Sequence, residues 1–113
     1  MSNNIEIPIK GNDKIIQMTE FFKVLGDPVR IKILSLLYCD ELCVNELCVN
    51  ELAEILEASA SSISHQLRIL RVNRFVNKRR DGKLVYYSLA NEQCWIMKHI
   101  TQKINDSALN MNF

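Results

Sequence analysis

The sequence predicts a mainly α-helical (α+β) chain in which five helices and one β-hairpin follow one another in the order α-α-α-α-β-β-α. Three stretches carry this prediction: a helix stop and restart at Gly26-Asp27-Pro28, apolar residues at helical spacing over 61–73, and Asp81-Gly82 between two β-rich runs. At 113 residues the chain is long enough for one domain with a modest core.

The N-terminal third predicts two helices after a polar arm, residues 1–12. Asp13 can cap a first helix through about Leu25, which Gly26 would end. Asp27-Pro28 is a strong second start, because an aspartate accepts a first-turn N–H and proline is tolerated at the first helical position. The helix 29–38 is apolar around most of its girth, so we expect it at the centre of the core.

The middle of the chain predicts two helices and a hairpin. The helix 51–57 would turn Leu52, Ile55 and Leu56 inward, and Ser59 or Ser61 would cap the next helix, 61–73, which would bury Ile63, Leu67 and Leu70. Asp81-Gly82 predicts a hairpin over 75–89.

The last helix, 91–105, offers Ile96, Met97, Ile100 and Ile104. A chain this short has little core left for it, so we expect a dimer interface there. We place the domain at 13–107 and a C-terminal tail at 108–113. Two helices, a helix–turn–helix, a hairpin and a last helix make the order of a winged helix–turn–helix, whose second motif helix lies in the DNA major groove.

The charges are segregated along the chain although the net charge is only +1. Residues 60–85 hold seven basic side chains against Asp81 alone, whereas residues 39–58 hold six acidic side chains and no basic one. A basic segment of this kind favours binding to a polyanion, although an unevenly charged solvated surface is the alternative.

Four motifs in this order resemble the ArsR/SmtB family of bacterial metal-responsive repressors: FFKVLGDPVRIKILSLL (21–37), ELCVNELAEIL (46–56), SSISHQLRILR (61–71) and RRDGKLVYYSL (79–89). The resemblance spans about 21–104. It implies a homodimer that binds an inverted-repeat operator in double-stranded DNA, releases it when an inducer binds, and controls efflux or detoxification genes.

The resemblance also implies which residues contact DNA. The recognition-helix positions are Ser61, Ser62, Ser64, His65 and Gln66, where hydroxyls allow close approach to the backbone and His or Gln can reach base edges. The positions suited to phosphates are Arg68, Arg71, Arg79, Arg80 and Lys83. For His65 a surface or core-edge role is the alternative, and we interpret Arg74 as a solvated arginine at the helix end.

The resemblance does not assign the inducer site directly, because members of the family bind ions at different positions of the fold. One site uses carboxylate and imidazole ligands on the terminal helices, but its positions here are Asn91, Gln93, Ile104 and Ser107, which cannot build it. The other is a thiolate motif, ELCVCDLA, at the start of the third helix. Cys48 matches its first cysteine, whereas Asn50 replaces the second.

The repeat ELCVN, at 41–45 and again at 46–50, offers substitute ligands. Five residues of helix turn by about 140°, so Cys43 and Cys48 could share an ion only if the helix begins after the first copy. Asn45 and Asn50 are both acceptable N-caps, so the sequence leaves the start open. We expect Cys48, Cys43 and Cys39 to bind a soft inducer ion (cadmium, lead, zinc or trivalent arsenic), with Cys94 as a further ligand or redox thiol.

Three functions stay open at this point: a repressor released by a soft metal or metalloid, a repressor switched by thiol oxidation or reactive sulfur, and a DNA-binding protein whose cysteines only pack. An enzyme is not expected, since the sequence has no Gly-rich phosphate loop, H-E-x-x-H or C-x-x-C motif. The chain has neither an apolar run long enough for a membrane span nor a recognisable targeting segment, so we expect a cytoplasmic protein.

Overall fold

The computed structural model describes residues 4–6, 8–9, 11–39, 43–44 and 47–109, and it leaves the side chains of residues 39, 43–44 and 107–109 undescribed. Its helices are α1 (Asn12–Leu25), α2 (Pro28–Leu37), α3 (Val49–Ile55), α4 (Ala60–Val72) and α5 (Cys94–Leu109). Its strands are β1 (Tyr38–Cys39), β2 (Cys43–Val44), β3 (Leu47–Cys48), β4 (Val76–Asp81) and β5 (Leu84–Leu89). A single 3₁₀ turn, Asn91–Gln93, precedes α5.

The second helix begins as its local sequence predicts. The Asp27 carboxylate accepts a hydrogen bond from the backbone N–H of Arg30 (3.1 Å), and Pro28 occupies the first turn. Helix α2 contacts α1, α4, α5, β1 and β5, so its predicted central position is confirmed. The first helix differs in detail, because Gly11 rather than Asp13 precedes it and Gly26 ends it with an ordinary φ of −80°.

The helix–turn–helix consists of α3, a turn and α4. The turn residue Glu57 has φ 53°, and the Ala58 N–H donates to the Ala53 carbonyl (2.9 Å), which closes the end of α3 in a Schellman arrangement. The Ser59 hydroxyl then accepts from the Ser62 N–H (3.1 Å) and caps α4. Ser59, rather than Ser61, is therefore the cap.

The wing is the antiparallel hairpin of β4 and β5, joined by the two-residue turn Gly82-Lys83. Gly82 has φ 62° at the first central position, which is where a type II′ turn requires glycine. Strand β3 adds a third strand that the sequence did not predict, and the sheet order is β3-β5-β4. The predicted winged helix–turn–helix is confirmed.

One continuous core lies between the helices and the inner face of the sheet. Its fully buried residues come from α2, α3, α4, the turn before β4, β5 and α5: Ile33, Leu34, Leu37, Leu52, Ile63, Leu67, Leu70, Phe75, Leu89 and Met97. The inward set predicted for α4 is thus confirmed, but the prediction for Ile55 is wrong, because this side chain is 52% exposed on α3. No helix among the described residues is long and apolar enough to cross a membrane.

The start of α3 lies between the two alternatives that the sequence offered. Cys48, with extended φ and ψ of −91° and 168°, is the N-cap, and neither Asn45 nor Asn50 has that role. Leu47 and Cys48 are held extended because they pair with Tyr87 and Tyr86 of β5. The described part of the first ELCVN copy, Cys43–Val44, consequently lies outside α3 and pairs with Tyr38–Cys39 as a separate two-stranded sheet.

Candidate nucleic-acid interface

Helix α4 presents a polar face opposite its buried one. Ile63, Leu67 and Leu70 are fully buried, and at about 100° per residue they define one side of the helix. The remaining surface exposes four of the predicted recognition residues and two of the predicted phosphate contacts: Ser61, Ser62, Ser64, His65, Arg68 and Arg71. None of them supports the core. The helix is therefore free to lie against a groove along this face.

Gln66 differs from the other predicted recognition residues. It follows Ile63 by three positions and precedes Leu70 by four, which places it roughly 60° and 40° from them. The side chain is half-buried, and its Oε1 has no hydrogen-bond partner within the described part of the chain. Gln66 thus borders the core, and helical geometry alone would have indicated this position.

The wing carries Arg79 and Arg80 on opposite faces, because successive strand residues alternate. Arg80 is in register with Val85. This pair lies on the same face of the hairpin as the buried pair Val76 and Leu89. Arg79 is in register with Tyr86 on the outward face, and its guanidinium lies 5.1 Å from the centre of that ring. Such a cation–π contact contributes about 0.5–1 kcal/mol at an exposed site. Lys83 lies in the turn between the strands.

A basic recess connects the end of α4 to the base of the wing. Its volume is about 380 Å³, and its lining includes Arg71, Arg74 and Lys78 beside the one acidic side chain of Glu92. Arg74 is exposed and has φ 63°, so the interpretation of a solvated arginine fits its position. Its carbonyl accepts a hydrogen bond from the buried Gln93 side chain (3.4 Å), which ties the α4–β4 turn to the start of α5.

Gln93 occupies one of the positions at which the carboxylate–imidazole site would need a metal ligand. The buried amide is used structurally, whereas Asn91 and His99 are exposed and Ile104 is half-exposed. The His99 ring packs edge-on near Trp95, with centroids 6.4 Å apart. The side chain of Ser107 lies outside the described residues. Among the described positions of this site, Gln93 therefore has a structural role.

The thiols lie in two places. Cys48 is half-buried at the start of α3, and its backbone N–H donates to Oε1 of Glu51 (3.1 Å). Hydrogen bonds from the backbone and then the thiol of Cys48 hold the pKa of Glu51 below its ordinary value. Cys94 is half-buried at the start of α5, with Sγ 3.8 Å from the Ala90 carbonyl oxygen.

The other two cysteines are described only by their backbone. Cys39 and Cys43 are Cα partners in the β1–β2 ladder, and their side chains lie outside what the structure describes. Within the described residues, no three His, Cys, Asp or Glu side chains converge as a metal site would require. A soft-ion site therefore depends on side chains beyond the described set.

Exposed apolar side chains concentrate on α1 and α5. Phe22 is 56% exposed, Trp95 59% and Ile104 50%. A groove of about 670 Å³ runs between these helices and α2, and its apolar lining consists of Phe22, Leu25, Ile31, Ile100 and Ile104. Isolated exposed apolar residues are ordinary, but a continuous apolar groove of this kind marks an interaction surface.

Comparison with known proteins places this geometry among bacterial regulators. The model of the family "Bacterial regulatory protein, arsR family" matches residues 27–78. A transcriptional repressor SmtB homolog of Synechocystis is 49% identical over 87 residues, which are 77% of this chain and 62% of that protein. The cadmium resistance regulator CadC of Listeria innocua is 43% identical over 72 residues, which are 63% of this chain and 56% of that protein.

The regulator KmtR of Mycobacterium tuberculosis is 35% identical over 99 residues, which are 88% of this chain and 68% of that protein. The chain thus spans about 56–62% of the length of the SmtB homolog and CadC, and just over two thirds of KmtR.

Two solved structures share the fold. Reduced HlyU of Vibrio cholerae superposes with a TM-score of 0.71 at 29% identity, over 80% of this chain and 92% of HlyU. A domain from Mycobacterium bovis, described as homodimeric, winged helix–turn–helix and DNA-binding, has a TM-score of 0.72 at 23% identity over 96% of both chains. The second likeness bears on the fold alone.

Proposed function

The chain belongs to the ArsR family of bacterial regulatory proteins, and we propose that it is a homodimeric repressor that binds an inverted-repeat operator. The observation that carries this proposal is the exposed polar face of α4 beside the basic wing. A recognition helix supplies contacts to base edges, and flanking cations bind phosphates on either side of the groove. Two copies, joined through the apolar faces of α1 and α5, would present two such helices to two half-sites.

The DNA contact can be tested through its salt dependence. We expect the affinity for a promoter-proximal inverted repeat to fall with salt, with a log–log slope set by the number of phosphates contacted. Each of Arg79→Ala and Arg80→Ala should flatten that slope by about 0.9 per protomer. The control is Lys32→Ala, which removes an equal charge from an exposed position of α2, outside α4 and the wing. Unchanged slopes in both arginine variants would exclude phosphate contacts by the wing.

For the inducer, we propose a soft metal or metalloid ion bound by thiolates of Cys39, Cys43 and Cys48. The position of the α3 start supports this proposal, because it leaves Cys43–Val44, the described part of the first ELCVN copy, outside the helix. That was the geometric condition for Cys43 and Cys48 to share an ion. Thiolates prefer cadmium, lead, zinc or trivalent arsenic over hard cations such as magnesium. The relative CadC is a cadmium resistance transcriptional regulatory protein.

The inducer is tested by adding each ion to the protein–operator complex under a non-thiol reductant. Cadmium, lead, zinc or arsenite should release the DNA, whereas magnesium at equal concentration should not. Cys43→Ser and Cys48→Ser should each abolish release without changing operator affinity in the absence of the ion, and Cys94→Ser reports whether the fourth thiol contributes. Release that persists in the Cys43 and Cys48 variants would refute the proposed ligand set.

A thiol redox switch is the second candidate, and the backbone register of Cys39 with Cys43 favours it. Directly opposed residues of antiparallel strands have Cα atoms about 4.5–5.5 Å apart, inside the range of roughly 4.4–6.8 Å that a disulfide spans. A peroxide would accept two electrons and two protons from the thiols and leave as water. Operator release by peroxide that dithiothreitol reverses, and that Cys39→Ser removes, would favour this candidate over the metal.

A further inference from the structure

Three residues lie side by side across the outward face of the three-stranded sheet: Cys48 of β3, Tyr86 of β5 and Arg79 of β4. Tyr86 is the Cα partner of Cys48 on one side and of Arg79 on the other. Directly opposed residues of antiparallel strands have Cβ atoms about 4.5–5.5 Å apart and point to the same face. The tyrosine ring therefore separates the thiol from the guanidinium and neighbours both.

The adjacent row shows which face this is. Leu47, Tyr87 and Lys78 are in register in the same way, and Leu47 and Tyr87 pack against the core. Because strand residues alternate between faces, the Cys48 row lies on the opposite, outward face. There the Arg79 guanidinium rests 5.1 Å from the centre of the Tyr86 ring. Tyr86 is half-buried and Arg79 is exposed, so the tyrosine ring restricts the positions that the guanidinium can occupy.

Cys48 is also joined to the helix–turn–helix. It is the N-cap of α3, and its backbone N–H is bound by the Glu51 carboxylate. A change of size or charge at its sulfur therefore acts on two elements at once, the start of α3 and the ring under the wing arginine. Cys48 and Tyr86 are both half-buried and are directly opposed across the strands, so a group added to the sulfur competes with the ring for the same space.

We propose that Tyr86 is a positioning residue that couples the state of the Cys48 thiol to the placement of Arg79 on DNA. The inference rests on the proposed operator binding and adds the route by which a group on Cys48 weakens it. A thiophilic ion or a covalent cap on Sγ displaces the Tyr86 ring, and the guanidinium loses the surface that holds it toward phosphate. The thiol then acts on the wing without contacting DNA.

The test uses the full chain with Cys39, Cys43 and Cys94 changed to Ser, so that Cys48 is its single thiol. Methyl methanethiosulfonate caps it: the thiolate attacks the sulfenyl sulfur, a new S–S bond forms, methanesulfinate leaves with the electron pair, and the thiol proton goes to buffer. We expect the cap to flatten the salt slope of operator binding by about 0.9 per protomer, the value for one lost phosphate contact. Dithiothreitol should restore the slope.

Two substitutions at Tyr86 distinguish coupling through the aromatic ring from a general structural effect of changing this residue. Tyr86→Phe keeps the ring and should respond to the cap as the parent does. Tyr86→Leu should have the low slope of Arg79→Ala before capping, and the cap should not lower it further. A parent-like slope in Tyr86→Leu, or an equal drop on capping in both variants, would overturn the proposal. If the triple serine background does not fold, Cys48→Met in the otherwise unchanged chain supplies the added bulk and should give the same low slope.

A readout without DNA keeps this result distinct from failure of operator binding. Because the Arg79 guanidinium lies 5.1 Å from the centre of the Tyr86 ring, we expect its side-chain resonances to carry a ring-current shift, which capping Cys48 should remove in the single-thiol protein. If the parent binds no inverted repeat while this shift is lost, the proposed function fails and the coupling stands. If mass spectrometry confirms the cap and the Arg79 resonances do not move, the coupling fails whatever the DNA result.

Discussion

Arg74 should make the protein less stable than glycine would at the same position. Its φ of 63° lies in the left-handed region, where an L-residue with a Cβ atom is unfavourable by about 1–2 kcal/mol. The conformation is imposed by the end of α4, because the Phe75 N–H donates to the Leu70 carbonyl (2.8 Å) and the Arg74 N–H to that of Arg71 (3.0 Å). The turn then leads directly into the wing.

The magnitude follows from comparing two variants that differ only by one methyl group. Arg74→Ala keeps the strain, and Arg74→Gly removes it. Glycine restores flexibility to the unfolded chain, which offsets about 0.5–1 kcal/mol. Arg74→Gly should therefore be more stable than Arg74→Ala by about 0.5–1 kcal/mol, or about 2–8 °C in Tm. Both variants lose the same charge, so electrostatic effects cancel in the comparison.

The assay is thermal and urea unfolding followed by circular dichroism, at one fixed protein concentration because a dimer's apparent stability depends on it. The matched control is the pair Arg71→Gly and Arg71→Ala inside α4, where the sign should reverse and glycine should be less stable by about 0.5–1 kcal/mol. If Arg74→Gly is no more stable than Arg74→Ala, the left-handed turn between α4 and β4 is refuted.

Three further predictions concern the cap, the core and the apolar face. The Glu51 pKa is lowered by its hydrogen bonds to Cys48, so its stabilising effect is present above its unfolded pKa and is lost as pH falls through the folded pKa. In urea unfolding, Glu51→Ala should therefore destabilise more at pH ~7 than at pH ~3, whereas Glu54→Ala should show no such difference. Leu67→Ala should lower the free energy of unfolding by about 2–5 kcal/mol, whereas Ser64→Ala on the exposed face of α4 should lower it by less than about 0.5 kcal/mol. Equal losses in the two variants would place the buried face of α4 elsewhere. Ile104→Asp should convert the proposed dimer to a monomer in sedimentation, whereas Ile55→Asp, at similar exposure on α3, should not. A dimer that survives Ile104→Asp would place the interface on another surface.

Local sequence signals predicted those parts of the fold that local interactions determine. Asp27-Pro28 begins α2 through a hydrogen bond within its own turn. Ile63, Leu67 and Leu70 face one side of α4 because of helical periodicity alone. Ile55 followed the same periodic argument and is exposed, because α3 is only seven residues long and its inner side is occupied by Leu52 and Ala53. A short helix leaves one turn to be buried, and periodicity does not say which one.

The candidate site shows the same division. The exposed set on α4 could be predicted, since it follows from the buried set, and Gln66 departs from it for a geometric reason that spacing already contained. The opposite faces of Arg79 and Arg80 also follow from alternation along one strand. The pairing of Cys48 with Tyr86 could not be predicted in this way, because it joins residues 38 positions apart that share no periodic pattern.

That pairing also decides how the ELCVN repeat is used. Asparagine is the better N-cap by intrinsic preference, and the repeat offers it at both Asn45 and Asn50. The helix nevertheless begins after Cys48, because Leu47 packs against the core and the backbone of Leu47 and Cys48 is committed to β5. A sheet contact thus outweighs a capping preference of about 1 kcal/mol. The same pairing places Cys48 opposite Tyr86. The residue that precedes α3 is therefore also the residue through which we propose that the wing is affected.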